Sequence, residues 1–358
     1  MADEQQLRFL IAAGGTVGHV APALAVAEAL RQRGGLVTFA GSPDRVEARL
    51  VPEHGYEFDP FSVSGLPRRP SAELVRAAGR ALAAPVACRA ILRRRRPDAV
   101  LGAGGYVAGP MVLAARLERI PCALTEADAH LGLANRLAAP LADRVFLALP
   151  VGGRDGEKYR AVGRPIPAAS RPVERGEARG RLGLAADARV VLVFGGSLGA
   201  RLLNDLALDA WAESGPSVIH LSGERDYAEL QGRASRSDYI LRPFIDEIGV
   251  AYGAADVVLA RAGGSVWELA AAGLPAVLVP GEFATGQHQE KNARWFADAG
   301  GAVVVPEAIA PDAPRIVEAL LDDGDRLAAM AAAMRAVAKP DAAEEIADEL
   351  VSLAAARR

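Results

Sequence analysis

One pattern occurs twice in the chain, about half its length apart. Phe9-Leu-Ile-Ala-Ala-Gly14-Gly15-Thr16-Val17-Gly18-His19 returns as Val191-Leu-Val-Phe-Gly195-Gly196-Ser197-Leu198-Gly199-Ala200. Each copy reads as a short apolar strand, a Gly-Gly-Thr/Ser-x-Gly turn and a helix start, which is the opening βα unit of a nucleotide-binding sheet. Further apolar runs at Leu36–Ala40, Ala99–Leu101, Arg144–Leu147, Val218–His220, Val257–Leu259 and Ala276–Val279 alternate with Ala-rich helical stretches. Runs this short, without polar alternation, are strands buried on both faces of a parallel sheet. The expected fold class is therefore α/β: two Rossmann-like, doubly wound domains facing across a cleft. The prolines of Val162-Gly-Arg-Pro-Ile-Pro167 mark the linker, giving domains over residues 1–163 and 164–340.

Composition excludes several classes. A length of 358 residues suits two domains at roughly 150 residues each, and 51% apolar with 24% charged residues is ordinary for a globular chain. Net charge is -3, which argues against general polyanion binding, so no nucleic acid partner is expected. Cys88 and Cys122 lack metal or disulfide spacing, and a reducing cytoplasm is the default. The two longest uncharged stretches, 9–27 and 99–115, are interrupted by Gly and Pro and should not span a bilayer. Asp323-Gly-Asp325 matches an Asp-x-Asp metal signature but sits between Ala-rich helices, where a solvated turn is expected; no metal and no cofactor are called for.

Four glycine loops follow strands: Gly14 to His19, Gly102 to Gly109 (with Gly104, Gly105 and Tyr106), Gly195 to Ala200, and Ala262-Gly263-Gly264-Ser265. Helix starts present free N–H groups and a positive dipole end, so such loops either hold phosphates or simply make tight βα turns. Four of them at strand ends favour a phosphate-bearing ligand. The spacing is not G-x-G-x-x-G, and no Walker lysine follows, so neither a nicotinamide or flavin enzyme nor a P-loop NTPase is indicated. His19 is either a general base beside the phosphates or a polar first-turn residue. Glu268 either closes a capping box on Ser265 or grips ribose hydroxyls. Gln287, His288, Gln289 and Asn292 either bind sugar hydroxyls or form a polar helix start.

With these loops in place, the chain resembles the MurG family, the membrane-associated UDP-N-acetylglucosamine transferases that complete lipid II. The likeness rests on Gly14 to Pro22, Gly102 to Pro110, Gly195 to Ala200, Pro243-Phe-Ile-Asp246, Arg261 to Pro275 and His288-Gln289 with Asn292. The resemblance implies a GT-B fold and inverting, metal-independent transfer of N-acetylglucosamine from UDP-N-acetylglucosamine to the muramyl 4-hydroxyl of lipid I, a step of peptidoglycan synthesis. It places the undecaprenyl-pyrophosphate-linked acceptor on the N-terminal half and the donor on the C-terminal half, with residues 341–358 crossing back to the first domain. By position it assigns Ser197 to the UDP phosphates, Ile245 to uracil, Glu268 to the ribose, and Gln289 and Asp128 to the donor sugar, with Gly264 and Ser265 also among the substrate-binding residues. Thr16, Val17 and Gly18 fall at the donor–acceptor junction, and Gly104, Gly105, Tyr106 and Glu126 on the acceptor loops. The alternatives are a related GT-B enzyme acting on another lipid, or a non-catalytic relative, the latter disfavoured by His19, Ser197, Glu268 and Gln289.

The chain departs from the family pattern at Thr125-Glu126-Ala127-Asp128, where a carboxylate replaces an amide, and at Gly163-Arg164-Pro165-Ile166-Pro167, where the arginine is displaced. Val17 replaces a glycine in the first loop, and the Ala262-to-Trp267 turn is one residue short. Between Leu66 and Arg96, nine arginines (68, 69, 76, 80, 89, 93, 94, 95, 96) face one acid, Glu73, and Leu74, Ala78, Leu82 and Val86 recur every four residues. The expectation is a basic amphipathic helix, restarting or kinked at Pro85, that docks on an anionic membrane surface and places the protein peripherally at the cytoplasmic face of the cell membrane.

Overall fold

The computed structural model describes residues 6–63, 72–128, 130–196, 199–281 and 288–357, without the side chains of 72–82 and 288. The chain divides into two compact units, residues 1–167 with 339–358, and residues 168–338.

In the first unit the chain runs β1 (Arg8–Ala12), α1 (Val17–Gln32), β2 (Leu36–Gly41), α2 (Glu47–Glu53), β3 (Glu57–Pro60), α3 (Ala72–Arg95), β4 (Ala99–Gly102), α4 (Ala108–Leu117), β5 (Cys122–Glu126), α5 (Leu133–Ala138), β6 (Arg144–Leu147) and β7 (Tyr159–Ala161). All pairings are parallel, in the order β3-β2-β1-β4-β5-β6-β7. The order reverses direction between β1 and β4, so the first and second glycine loops are the two loops of one topological switch point, where open α/β sheets bind ligands. Alternate residues of β1 feed opposite layers: Phe9 and Ile11 join Val20, Leu30 and Phe39, whereas Leu10 and Ala12 join Leu92, Met111 and Leu124.

The second unit runs α6 (Arg175–Leu182), β8 (Val190–Phe194), α7 (Arg201–Trp211), β9 (Ser217–Leu221), α8 (Glu224–Leu230), β10 (Tyr239–Arg242), α9 (Ile248–Ala254), β11 (Val257–Ala260), α10 (Val266–Ala272), β12 (Ala276–Leu278), α11 (His288–Asp298), β13 (Ala302–Val304), α12 (Ala313–Leu321) and α13 (Gly324–Val337). Its parallel sheet has the order β10-β9-β8-β11-β12-β13, with the reversal between β8 and β11. The third and fourth glycine loops are therefore the second switch-point pair. Arg179, fully buried, donates to Asp256, which also pairs with Arg175 and accepts from the Val190 N–H, fixing the start of β8 beside β11. Asp323 is an N-cap, accepting from the Arg326 N–H at 2.9 Å, and so starts α13 instead of forming a plain turn.

The final helix, α14 (Ala342–Arg357), belongs to the first unit. Ile346, Ala347, Leu350 and Ala354 lie in the layer that holds α1. Asp348 pairs with Arg33 at 2.6 Å, and Glu349 pairs with both Arg144 and Arg160.

Two expectations for the basic segment are corrected. α3 continues through Pro85 without restarting, and among its described side chains the buried face is Ala84, Cys88, Ile91 and Leu92, with Val86 70% exposed; the side chains of Leu74, Ala78 and Leu82 lie outside the described residues. A four-residue recurrence drifts off a helix face that repeats every 3.6 residues. Nor are these arginines mostly unpaired where their side chains are described: Arg89 and Arg93 share Glu118 at 2.6 and 3.1 Å, and Arg94 and Arg95 hold Asp59 at 2.7 and 2.6 Å. Burial alone would raise the Asp59 carboxyl, but the two guanidiniums outweigh it and hold the group below the usual carboxylate range. Arg68 and Arg69 lie outside the described residues.

Candidate active site

At the first switch point, Thr16 occupies the N-cap of α1 in extended conformation, and its hydroxyl lies 3.1 Å from His19 Nδ1. With the proton on Nδ1, His19 donates to Thr16 Oγ1 and leaves the Nε2 lone pair available. Burial lowers the His19 pKa below 6.5, Arg164 lowers it further, and Asp128 opposes both. The ring is thus predominantly the free base near neutrality, the state a proton acceptor needs.

The surroundings explain how the ring is held. Gly104, at φ +95°, lets the second loop pass under it: a Cβ there would stand 2.5 Å from His19 Cδ2. Gly105, at φ +73°, abuts the Gly14 carbonyl, so the two loops pack directly on one another. The Arg164 side chain, only 8% exposed as a residue, donates to the Gly18 carbonyl. Tyr106 and Val17 stay exposed.

Glu126 is turned inward. Its oxygens accept from Asp128 N (3.2 Å), Gly132 N (2.9 Å) and Asn135 Nδ2 (2.9 Å), while burial pushes its carboxyl above the usual range against those bonds. Its work is to shape the turn that carries Asp128, which lies close enough to influence His19. Sequence reasoning missed Glu47 altogether. Fully buried, Glu47 accepts from Gly15 N at 3.0 Å and Ser42 N at 3.1 Å. The Gly15 N–H is therefore taken by an internal carboxylate, and that donor does not serve a phosphate.

At the second switch point Gly195 and Gly196 follow β8, and Gly264 and Ser265 lead into α10. Ser197 and His288 cannot be placed: the first lies outside the described residues, and of the second only the helical backbone is described. Ser265 makes no side-chain cap bond, so its half of the capping box is missing. Glu268, partly exposed, accepts from the Tyr252 hydroxyl at 2.9 Å, which orients its carboxylate. Gln289 Oε1 accepts from Gly281 N at 2.9 Å and so leaves its amide NH2 to be used elsewhere. Asn292, buried, donates to the Ala262 carbonyl and supports the fourth loop from beneath, in place of the sugar contact its position suggested. Ile245 is partly exposed after β10. Among the described residues no group of three or more His, Cys, Asp and Glu side chains is disposed to hold a metal ion.

Two doubly wound sheets, each with paired glycine loops at its switch point, are the two Rossmann-like halves of the GT-B fold class. Residues 9–147 match the glycosyltransferase family 28 N-terminal domain and residues 190–348 its C-terminal domain. The chain is 42% identical to the UDP-N-acetylglucosamine–N-acetylmuramyl-(pentapeptide) pyrophosphoryl-undecaprenol N-acetylglucosamine transferase of Verminephrobacter eiseniae, over 97% of this chain and 98% of that one. It is 37% identical to the same transferase of Halothermothrix orenii, over 93% and 95%. The crystal structure of Acinetobacter baumannii MurG is similar with TM-score 0.76 and 30% identity, over 97% of this chain and 99% of that one. The calicheamicin glycosyltransferase CalG4, at 19% identity and TM-score 0.70, shares the fold. The chain belongs to glycosyltransferase family 28 and, within it, to the MurG family.

Proposed function

We propose that the chain transfers N-acetylglucosamine from UDP-N-acetylglucosamine to the muramyl 4-hydroxyl of lipid I, giving lipid II and UDP. Similarity to transferases of this name along nearly the whole chain carries the reading. The first unit takes the undecaprenyl-pyrophosphate-linked acceptor, and the second takes the donor. The acceptor oxygen attacks the anomeric carbon from the face opposite UDP; the C–O bond to the β-phosphate breaks, and the anomeric centre inverts. His19 Nε2 receives the hydroxyl proton, supported by its free-base state and by the Thr16 contact. Asp128 assists from the donor side. Thr16, Val17 and Gly18 line the junction, and Gly104 to Tyr106 receive the acceptor diphosphate.

On the donor, Ser197 and the N–H groups opening α7 hold the departing phosphates, where the helix dipole stabilises the negative charge that develops. Glu268, oriented by Tyr252, binds ribose hydroxyls. Ile245 contacts uracil, Gly264 and Ser265 border the nucleotide, and the Gln289 amide contacts the sugar. No metal or organic cofactor has a part in this scheme. Purified protein with UDP-N-acetylglucosamine and a lipid I analogue should release UDP only when both are present. Absence of release would overturn the assignment.

The acceptor is lipid-linked, so the first unit must work at the bilayer surface. No helix of the described residues is long and apolar enough to cross a membrane. α4 packs against both α3 and α5, and Leu113, Leu117, Leu133 and Leu137 stand exposed on α4 and α5, the last two by 62% and 69%. With the α3 arginines these leucines form the face proposed to insert peripherally at the cytoplasmic leaflet.

A further inference from the structure

His220 lies inside β9 with no solvent exposure, a titratable side chain among Val218, Ile219 and Leu221, and the chemistry above gives it no role. Its neighbours form a closed hydrogen-bond network. His220 Nε2 lies 3.0 Å from Asn204 Oδ1, and His220 Nδ1 lies 2.8 Å from the Tyr239 hydroxyl. Asn204 Nδ2 spends both hydrogens, on the Ser222 carbonyl and on Asp226 Oδ2, each at 3.0 Å. A flipped Asn204 amide would aim its oxygen at two acceptors, so its orientation is fixed. Asn204 Oδ1 must then accept from His220, which places the imidazole proton on Nε2. Nδ1 accepts from Tyr239.

What this network grips is the turn after β9. Ser222 N donates to the Arg242 carbonyl at 3.0 Å and Gly223 N to the Pro243 carbonyl at 2.9 Å, which ties the turn to the segment leading into Ile245. On its other side, Gly199 (φ +73°) packs so closely that any Cβ would collide with the Ser222 carbonyl. Asn204 itself stands in the first turn of α7, directly after the Gly195–Ala200 loop.

We propose that His220 and Asn204 are positioning residues for the donor site: they lock the Ser222–Gly223 turn between the phosphate loop and the base-contacting segment. This rests on the donor assignment above. An apolar core would hold the fold without fixing the direction of the Ser222 carbonyl, whereas the Asn204 amide does fix it.

The test uses the full-length protein. Asn204→Asp, which removes both N–H donors, and His220→Leu, which removes the Nε2 donor, should each raise the UDP dissociation constant and the donor KM by about tenfold, the order of one buried hydrogen bond, with kcat within about twofold. His220→Gln, whose amide restores a donor to Asn204, should lie near the unmodified protein. In nitrogen-15 spectra of the unmodified protein, His220 should be the Nε2–H tautomer, and saturating UDP should shift the Asn204 side-chain amide. An Nδ1–H tautomer, an amide insensitive to UDP, or folded variants with unchanged donor KM would each overturn the proposal while the transferase assignment stands. If the unmodified protein binds no UDP, the donor assignment fails and this proposal with it.

Discussion

Acidification should loosen the second unit through His220. Burial pulls the His220 pKa from 6.5 down to about 4, with Arg233 adding to the effect. Unfolding restores the ordinary value, so between those two pH values the unfolded chain binds a proton that the folded one refuses. Stability from this group is fully present above pH 6.5, falls as the pH drops through 6, 5 and 4, and falls no further below the folded pKa. Two and a half pH units of mismatch integrate to about 2 kcal/mol lost between pH 8 and pH 5, and about 3 kcal/mol by pH 4. The three tryptophans, Trp211, Trp267 and Trp295, all lie in the second unit, so urea unfolding followed by tryptophan fluorescence reports this unit selectively. His220→Gln keeps a donor to Asn204 and cannot titrate. The unmodified protein should lose about 2 kcal/mol more than this variant between pH 8 and pH 5. Equal losses would show that His220 takes up its proton without leaving the folded network, which would refute the reasoning.

His19→Ala should lower turnover roughly 100-fold while UDP affinity is kept, and the acid limb of kcat/KM in the unmodified enzyme should fall below pH 6.5, as the lowered His19 pKa requires. Gly104→Ala places a methyl against the His19 ring at a positive φ, so turnover should fall with UDP binding unchanged, measured by calorimetry beside steady-state rates. Glu268→Gln retains an acceptor for Tyr252 but loses charge; UDP affinity should drop about tenfold with little change in melting temperature, and the reverse pattern would make Glu268 a packing residue. Replacing Leu133 and Leu137 together by Asp should abolish flotation with anionic vesicles while leaving activity on a short-chain, detergent-free acceptor. Unaltered flotation would move the membrane face elsewhere.

The sheet centres were legible because buried parallel strands must be continuously apolar, as Val190–Phe194 is. The strands passed over were β3, β5, β7, β10 and β13, and four of these lie at or next to the sheet edges. β3 carries Glu57 and Asp59, which the α3 arginines neutralise, so its polarity concealed a strand whose charges are satisfied from another helix. β5 lies inside the sheet but begins with Cys122 and ends with Thr125 and Glu126. Those polar residues serve the loop beyond it. Similar logic hid the site's supports. Glu47 and Asn204 are separated from the groups they bind by a turn or by many residues, and no spacing rule links them. His220 did carry a signal, a lone imidazole inside an apolar run, which a hydropathy reading treats as noise.

The two copies of the repeated loop also diverge in a way that alters what their glycines mean. Glycine is expected at such positions to let a phosphate approach the backbone. In the first unit a Cβ on Gly14 would strike the Glu47 carboxylate, and one on Gly41 would meet Glu47 Cγ at 2.8 Å. Those glycines make room for an internal acid whose oxygens already occupy the Gly15 and Ser42 N–H groups. With the anion built in, the first loop is held rigid before any substrate arrives, and a second negative group at the same N–H would face both repulsion and the lack of a free donor. The first copy of the duplicated motif thus fixes a histidine, and in the reading proposed above the departing diphosphate is left to the second copy. In that same proposed reading, the acceptor's own phosphates fall to the second glycine loop, which opens α4 and of which Tyr106 is exposed.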